Sequence, residues 1–211
     1  MDLDPQFIIR DAAELRSLYG HPLERSVRKQ MDRLDQHSRA FIAASPFVVI
    51  STQGPDAAGL ADNSPRGDFP GFVEVADDRT LLIPDRRGNN RLDSLQNLLR
   101  NPKIGLLFLA PGVNETFRVN GLAELSRDPA LTGRFVVEGK TPKTVIVVHV
   151  QEAYIHCSRA MLRSKLWDPS RHVAPGLLPS FGTIMACHTQ GFVDAQAMDE
   201  ENKVRMPATL Y

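Results

Sequence analysis

Residues 80–125 read TLLIPDRRGNNRLDSLQNLLRNPKIGLLFLAPGVNETFRVNGLAEL, and the changes of period inside them decide the fold. TLLIP is a short aliphatic run of strand composition, followed by the polar turn DRRGNN. From Asn90 to Arg100 the leucines Leu92, Leu95, Leu98 and Leu99 recur at helical spacing. Asn101-Pro102 stops that helix, because the residue before a proline is pushed out of the helical region. KIGLLFLA (103–110) and ETFRVNGLAEL (115–125) then read as two strands at hairpin spacing. In the second, Thr116 and Arg118 share one face, and Phe117 and Val119 take the other.

The same texture extends outward. PFVVIST (46–52), GFVEVAD (71–77) and KTVIVVHVQEAYIHC (143–157) are further strand-like runs, separated by Gly, Pro, Asn and Asp clusters. Six or seven such strands predict a mainly β protein with flanking helices, an antiparallel barrel or sandwich. Before them, Asp11 caps a helix running to Tyr19. Pro22 opens a second, in which Val27, Met31, Leu34, Ser38, Phe41 and Ile42 form one stripe until Ser45-Pro46. Asp128–Val137 reads as a helical insertion and Ser158–Trp167 as a helix closed by Asp168-Pro169. The loop VAPGLLPS (173–180) leads to a last helix from about Ser180 and a polar tail. The chain thus divides into a helical segment (1–45), a barrel core (46–157), and C-terminal helices and tail (158–211) packed on the barrel or on a second copy.

With 211 residues, 42% apolar and 24% charged, the composition fits one ordinary globular domain. It excludes a disordered chain, a coiled coil and a disulfide-stapled miniprotein. Twenty-five basic against 25 acidic residues give a net charge of zero, so there is no domain-wide field for nucleic acid. The apolar runs fall far short of the roughly 20 residues of a membrane span. The acidic N-terminus, MDLDPQFIIRD, does not read as an export signal, and the expected location is the cytoplasm with Cys157 and Cys187 as reduced thiols. The mirrored pairs His156-Cys157 and Cys187-His188 match no close-set zinc knuckle. Nucleophile-elbow, Walker, dinucleotide and metalloprotease motifs are absent.

Four segments carry candidate chemistry. In 86–91, Arg86, Arg87 and Arg91 stand with Asn89 and Asn90 at the start of a helix, which reads either as an anion site, most naturally for phosphate, or as a solvated turn. DNSPRGD (62–68) has turn composition and sets Arg66 beside Gly67. Thr116 and Arg118 belong either inside the barrel with a polar partner or on an outer face at no cost. In HCSRAMLRSKLWDPSR (156–171), Arg159, Arg163 and Trp167 fall on one helical stripe, either a surface cation–π pair or an aromatic wall for a planar ligand.

Taken in order along residues 25–170, these segments resemble the pyridoxamine 5′-phosphate oxidase-like family of split β-barrel flavoproteins. SPRGD, LLIPDRRGNNR and HCSRAMLRSKLW are most similar to the branch described as FMN-binding. The resemblance implies a six- to seven-stranded antiparallel split β-barrel of the FMN-binding type. It also implies a homodimer with FMN at two equivalent interface sites. It places Arg66 and Gly67 along the flavin and its ribityl phosphate, Pro84 and Asp85 under the isoalloxazine, and Asn89, Asn90 and Arg91 at the phosphate. Thr116 and Arg118 would lie near the flavin. Arg163, Ser164 and Trp167 would reach in across the dimer. The phosphate turn differs from that of the oxidases proper, which carries Ser, Arg and Lys, and the tail has no equivalent of their Arg-rich C-terminal strand. The implied activity is therefore that of an FMN-dependent oxidoreductase whose substrate is not pyridoxamine phosphate. Alternatives are a non-catalytic FMN carrier or sensor, or a haem-binding split barrel using His149 or His156. No catalytic residue stands out.

Overall fold

The computed structural model describes residues 1–54 and 59–211. Seven strands, β1 (Phe47–Gln53), β2 (Ala61–Gly67), β3 (Glu74–Val75), β4 (Thr80–Pro84), β5 (Lys103–Leu109), β6 (Thr116–Ser126) and β7 (Val145–His156), form one sheet. Its order is β2-β1-β5-β6-β7-β4-β3, with every neighbouring pair antiparallel. This is the antiparallel split β-barrel.

Alternation along the strands builds the core. Val48 and Ile50 of β1, Ile104, Leu106 and Phe108 of β5, Phe117 and Val119 of β6, and Ile146 and Val148 of β7 are buried while the residues between them face the other way, where Val145 joins a second small cluster with Leu82 and Phe135. Two helices close the inner face: α3 (Gln36–Ala44) contributes Ile42, and α4 (Asp93–Arg100) contributes Leu95 and Leu98. Each such side chain contributes about 1.5–3 kcal/mol of transfer free energy.

The first helix is where the sequence places it: α1 (Ala12–Tyr19) is capped by the Asp11 carboxylate. The expected long helix after Pro22 is instead broken into α2 (Glu24–Arg28) and α3. Between them Met31 exchanges two backbone hydrogen bonds with Ala153, at 3.0 and 2.8 Å. β4 pairs only with residues 145–149 of β7, so the rest of that margin needs another partner, and Met31 supplies it. Asp35, whose carboxylate accepts from the Ser38 N–H, restarts the helix, and Val27 is left exposed.

Four further elements differ from expectation. DNSPRG, turn-like by composition, is most of the edge strand β2; Pro65 is tolerated because only one side of β2 is paired. The insertion after Asp128 is only α5 (Pro129–Thr132) and one 3-10 turn, Gly133–Phe135. After β7 the helix α6 spans Arg159–Ser164, because Lys165 adopts φ 52° and ends it. Trp167 is therefore outside the helix, and the stripe of Arg159, Arg163 and Trp167 does not form. The helix expected from about Ser180 is α7 (Phe181–His188), capped by Ser180, and the polar tail beyond it is helical too, as α8 (Ala195–Ala208) on the cap Asp194. Among the described residues no helix is long and apolar enough to cross a membrane.

β6 and β7 stay in register through a bulge in which Asn120 faces Glu152 and Gly121 faces Val150, leaving Gln151 as the extra residue. A Cβ on Gly121 would overlap the His149 carbonyl oxygen, whereas one on Gly133 would meet nothing within 4 Å. Gly121→Ala is expected to lower the stability to urea unfolding by about 1–3 kcal/mol or more, because backbone has to move to relieve the overlap. Gly133→Ala is expected to stay within about 0.5 kcal/mol of wild type.

Candidate functional site

Sheet order places β2 at one margin of the barrel and β4 next to the other. The curled sheet brings them to face each other across the split, and a cleft of about 1270 Å³ lies there. Two ion pairs span it. Arg66 at the end of β2 reaches Asp85 after β4 at 2.8 Å, and Asp68 accepts from the Nε of Arg86 at 2.7 Å. Arg86 also donates to the Phe135 carbonyl at 2.6 Å.

Asp68 is the most enclosed of these groups, its side chain only 2% exposed. Burial pushes its carboxyl up, but hydrogen bonds from the Tyr211 hydroxyl, the Phe69 N–H and Arg86 outweigh that and hold it below its ordinary value. Tyr211 donates to Asp68 at 2.6 Å, and its phenol is raised, first by that bond. The Arg86 guanidinium lies 5.5 Å from the Tyr211 ring centre. Lys140 donates to the Tyr211 carbonyl at 2.8 Å.

The cleft is lined by six basic residues, Arg66, Arg86, Arg87, Arg91, Lys140 and Lys143, against four aspartates. Among the described residues, Arg87 and Lys143 make no ion pair. Arg66 keeps one buried donor, Nε, with no hydrogen-bond partner among the described residues. An excess of positive charge with unspent donors is the electrostatics of an anion site.

The turn 86–91 forms one wall. Asn90 and Leu92 both adopt left-handed backbone, φ 60° and 61°, so the helix begins at Asp93 rather than at Asn90. The Asn89 side chain accepts from the Arg91 N–H, and Arg91 pairs with Asp93 at 2.8 Å. Asp93 therefore already supplies negative charge to the start of α4. A ligand phosphate would compete with it for Arg91. Behind the wall, Ser94 donates to Asp62 at 2.6 Å and Asn97 to Thr52 at 3.1 Å, fastening α4 to β2 and β1.

Seven of the twelve residues singled out in the sequence, Arg66, Gly67, Pro84, Asp85, Asn89, Asn90 and Arg91, line this cleft. The other five do not. Thr116 and Arg118 lie on the outer face of β6, with Phe117 and Val119 in the core as the spacing requires. Arg118 donates to the Tyr154 hydroxyl at 2.8 Å. Lys29 stands 5.2 Å from the same ring, whose neighbour is His156. Burial, then Arg118 and Lys29, hold His156 below its ordinary value. Arg163 and Ser164 end α6. The Trp167 indole N–H donates to the Val113 carbonyl at 2.8 Å, tying the segment to the β5–β6 turn. Neither His149 nor His156 lines the cleft. Among the described residues no group of three His, Cys, Asp or Glu could hold a metal, and Cys157 and Cys187 are exposed free thiols. The sequence reading missed Asp68, Lys140 and Tyr211, which contact one another or Arg86 only through the fold.

A model of the pyridoxamine 5′-phosphate oxidase family matches residues 34–157, from just before α3 through β7. The chain belongs to that family. Solved structures with a similar layout include HupZ from Group A Streptococcus, at 20% identity over 57% of this chain and 91% of that one, with a TM-score of 0.46. A protein from Clostridium acetobutylicum related to general stress protein 26 has 15% identity over 57% of this chain and 85% of that one, TM-score 0.44. The FAD binding protein from Mycobacterium smegmatis has 15% identity over 59% and 95%, TM-score 0.37. No curated protein matches the sequence. The family match ends at Cys157, so α7, α8 and Tyr211 lie outside the matched region.

Removing one partner of an enclosed pair leaves the other charge stranded. Arg86→Met is expected to lower stability by about 3 kcal/mol in urea unfolding at neutral pH. Asp68 is depressed in the folded protein, so its contribution is complete above its ordinary value of 3.8 and is lost as pH falls through the lower folded value. The stability advantage of wild type over Asp68→Asn should accordingly hold through neutral pH and shrink below that value.

Proposed function

We propose that this family member is an FMN-binding flavoprotein acting as an FMN-dependent oxidoreductase, with a substrate other than pyridoxamine phosphate. The observation that carries the reading is the cleft across the barrel split, where six basic residues outnumber four acidic ones and Arg66 keeps an unspent buried donor. Arg87, Asn89, Asn90 and Arg91 would hold the phosphate. Arg66 and Gly67 would run along the ribityl chain and ring, and Pro84 and Asp85 would support the isoalloxazine.

FMN, when bound, supplies the redox chemistry, and the chain's residues supply position and charge. Arg66 and Arg87 would stabilise negative charge on the ligand without exchanging a proton. The three cleft groups with shifted acidity are not poised near neutral pH, since Asp68 is lowered and Tyr211 and Arg91 are raised. No histidine lines the cleft. Proton exchange would then fall to the substrate or solvent.

We further propose that the protein works as a homodimer, a second copy bringing its Thr116, Arg118, Arg163, Ser164 and Trp167 to the cleft. The exposed surface supports this. It amounts to 14651 Å², whereas a compact monomer of 23.4 kDa exposes about 9,700 Å². Most of α1 and α2, with Leu15, Leu18, Tyr19 and Val27, buries nothing within one chain. Sedimentation is expected to give a dimer, and a stable monomer that binds FMN at full stoichiometry refutes this arrangement.

Purified protein reconstituted with FMN should be yellow, and steady turnover of bound flavin by a reduced nicotinamide would mark an enzyme rather than a carrier. Arg91→Ala should weaken FMN by about 1.5–3 kcal/mol while leaving phosphate-free riboflavin nearly unchanged, as measured by titration. Equal losses for both ligands would remove Arg91 from the phosphate.

A further inference from the structure

The last residue of the chain reaches back into the cleft. α8 ends at Ala208, Thr209 closes it, and Leu210 and Tyr211 then line the cavity beside Arg86 and Lys140. Three contacts hold the tail, all at Tyr211. Its hydroxyl donates to Asp68 at 2.6 Å, its ring lies 5.5 Å from the Arg86 guanidinium, and its carbonyl accepts from Lys140 at 2.8 Å. Leu210 is 63% exposed and contributes little adhesion.

The contacts engage the same groups that an anionic ligand needs. Lys140 spends its ammonium on the main-chain oxygen of Tyr211, and one face of Arg86 is covered by the phenol ring. Both are among the six basic residues of the cleft. Breaking the contacts strands nothing. Asp68 keeps Arg86 and the Phe69 N–H as partners, and Arg86 keeps Asp68 and the Phe135 carbonyl. Leu210 is already exposed, and the half-buried Thr209 and Tyr211 exchange their contacts for water. A contact that releases without orphaning a buried group can open and close, whereas the Asp68–Arg86 pair beneath it cannot.

We propose that Tyr211 is a latch that holds the C-terminal tail across the cleft in the ligand-free protein, and that an FMN-sized anion binds only after this latch opens. The inference rests on the FMN reading of the cleft. Entry of the ligand replaces the Tyr211 carbonyl on Lys140 and the phenol ring on Arg86 with the ligand's own acceptors and ring. A site closed by its own tail binds with an apparent dissociation constant equal to the intrinsic one divided by the open fraction. One charge-assisted hydrogen bond at a partly exposed position suffices to keep the latch shut about nine-tenths of the time, a tenfold effect.

The test compares FMN titrations of the full chain and of Tyr211→Phe, which keeps the ring and the carbonyl but loses the hydroxyl. FMN is expected to bind the variant about tenfold more tightly, mainly through faster association. A parallel reading uses fluorotyrosine at Tyr19, Tyr154 and Tyr211, with the Tyr211 resonance assigned by its absence in the variant. In the full chain that resonance should move on FMN addition to the position it takes in Asp68→Asn. FMN binding with equal or lower affinity to Tyr211→Phe, or with the Tyr211 resonance unmoved, overturns the latch and leaves the cofactor reading standing. Failure of FMN to bind either protein overturns both.

Discussion

Asp68 and Arg86 form the contact on which the arrangement of the cleft depends. They belong to opposite margins of the sheet, separated in strand order by β1, β5, β6 and β7, and no backbone ladder joins those margins. Hydrogen bonding between strands cannot close a split barrel, so side chains must fix the width of the gap. Asp68–Arg86 and the neighbouring Arg66–Asp85 pair do so with two short charged contacts, and Arg86 carries the linkage on to Phe135 beside β7. Pairs of this kind contribute little net stability against an apolar replacement, but breaking one is costly. Their effect is geometric: they hold the turn after β4 opposite the end of β2.

That geometry also explains why the cleft is positive in a chain whose charges cancel. Arg66, Arg86 and Arg91 each have an aspartate, so their charges are locally offset. The excess comes from Arg87 and Lys143, which, like Lys140, pair with no carboxylate side chain among the described residues. The ion pairs shape the site, and the uncommitted cations would give it affinity. A sequence-wide count cannot separate these roles, because it registers charge without partnership.

The barrel was legible where one physical signal acted alone. Alternation in KIGLLFLA and ETFRVNGLAEL gave β5 and β6 with the right faces inward, and the leucines of 92–98 gave α4. Legibility failed where a long-range partner overrode local preference. DNSPRG is a strand because β1 offers it a ladder, and Met31 leaves its helical stripe because β7 has an unpaired margin. The Arg159–Trp167 stripe was lost to a single left-handed residue, Lys165. Within the site, Asn89 to Arg91 are contiguous and could be read. Tyr211 contacts a residue 143 positions away and could not. Its one visible signal was an aromatic residue closing an otherwise polar tail.

The two groups of site residues bear on how ligand and assembly would be coupled. Thr116, Arg118 and Arg163 lie outside the cleft of their own chain, and burial, then Arg118 and Lys29 beside the Tyr154 ring, disfavours His156 as a cation. A second copy presenting this cationic face to a cleft that already has more basic than acidic lining would meet repulsion, greatest where water is excluded. In the proposed dimer a bound anion would reverse the sign of that contact, its charge shared by the arginines of both copies. By linkage, a ligand that favours the assembled form is itself favoured by assembly, and to the same extent. In the proposed dimer, cofactor affinity and dimer stability would then be two measurements of one electrostatic term. Salt would weaken both together while leaving the Asp68–Arg86 clamp, enclosed from solvent, largely unchanged.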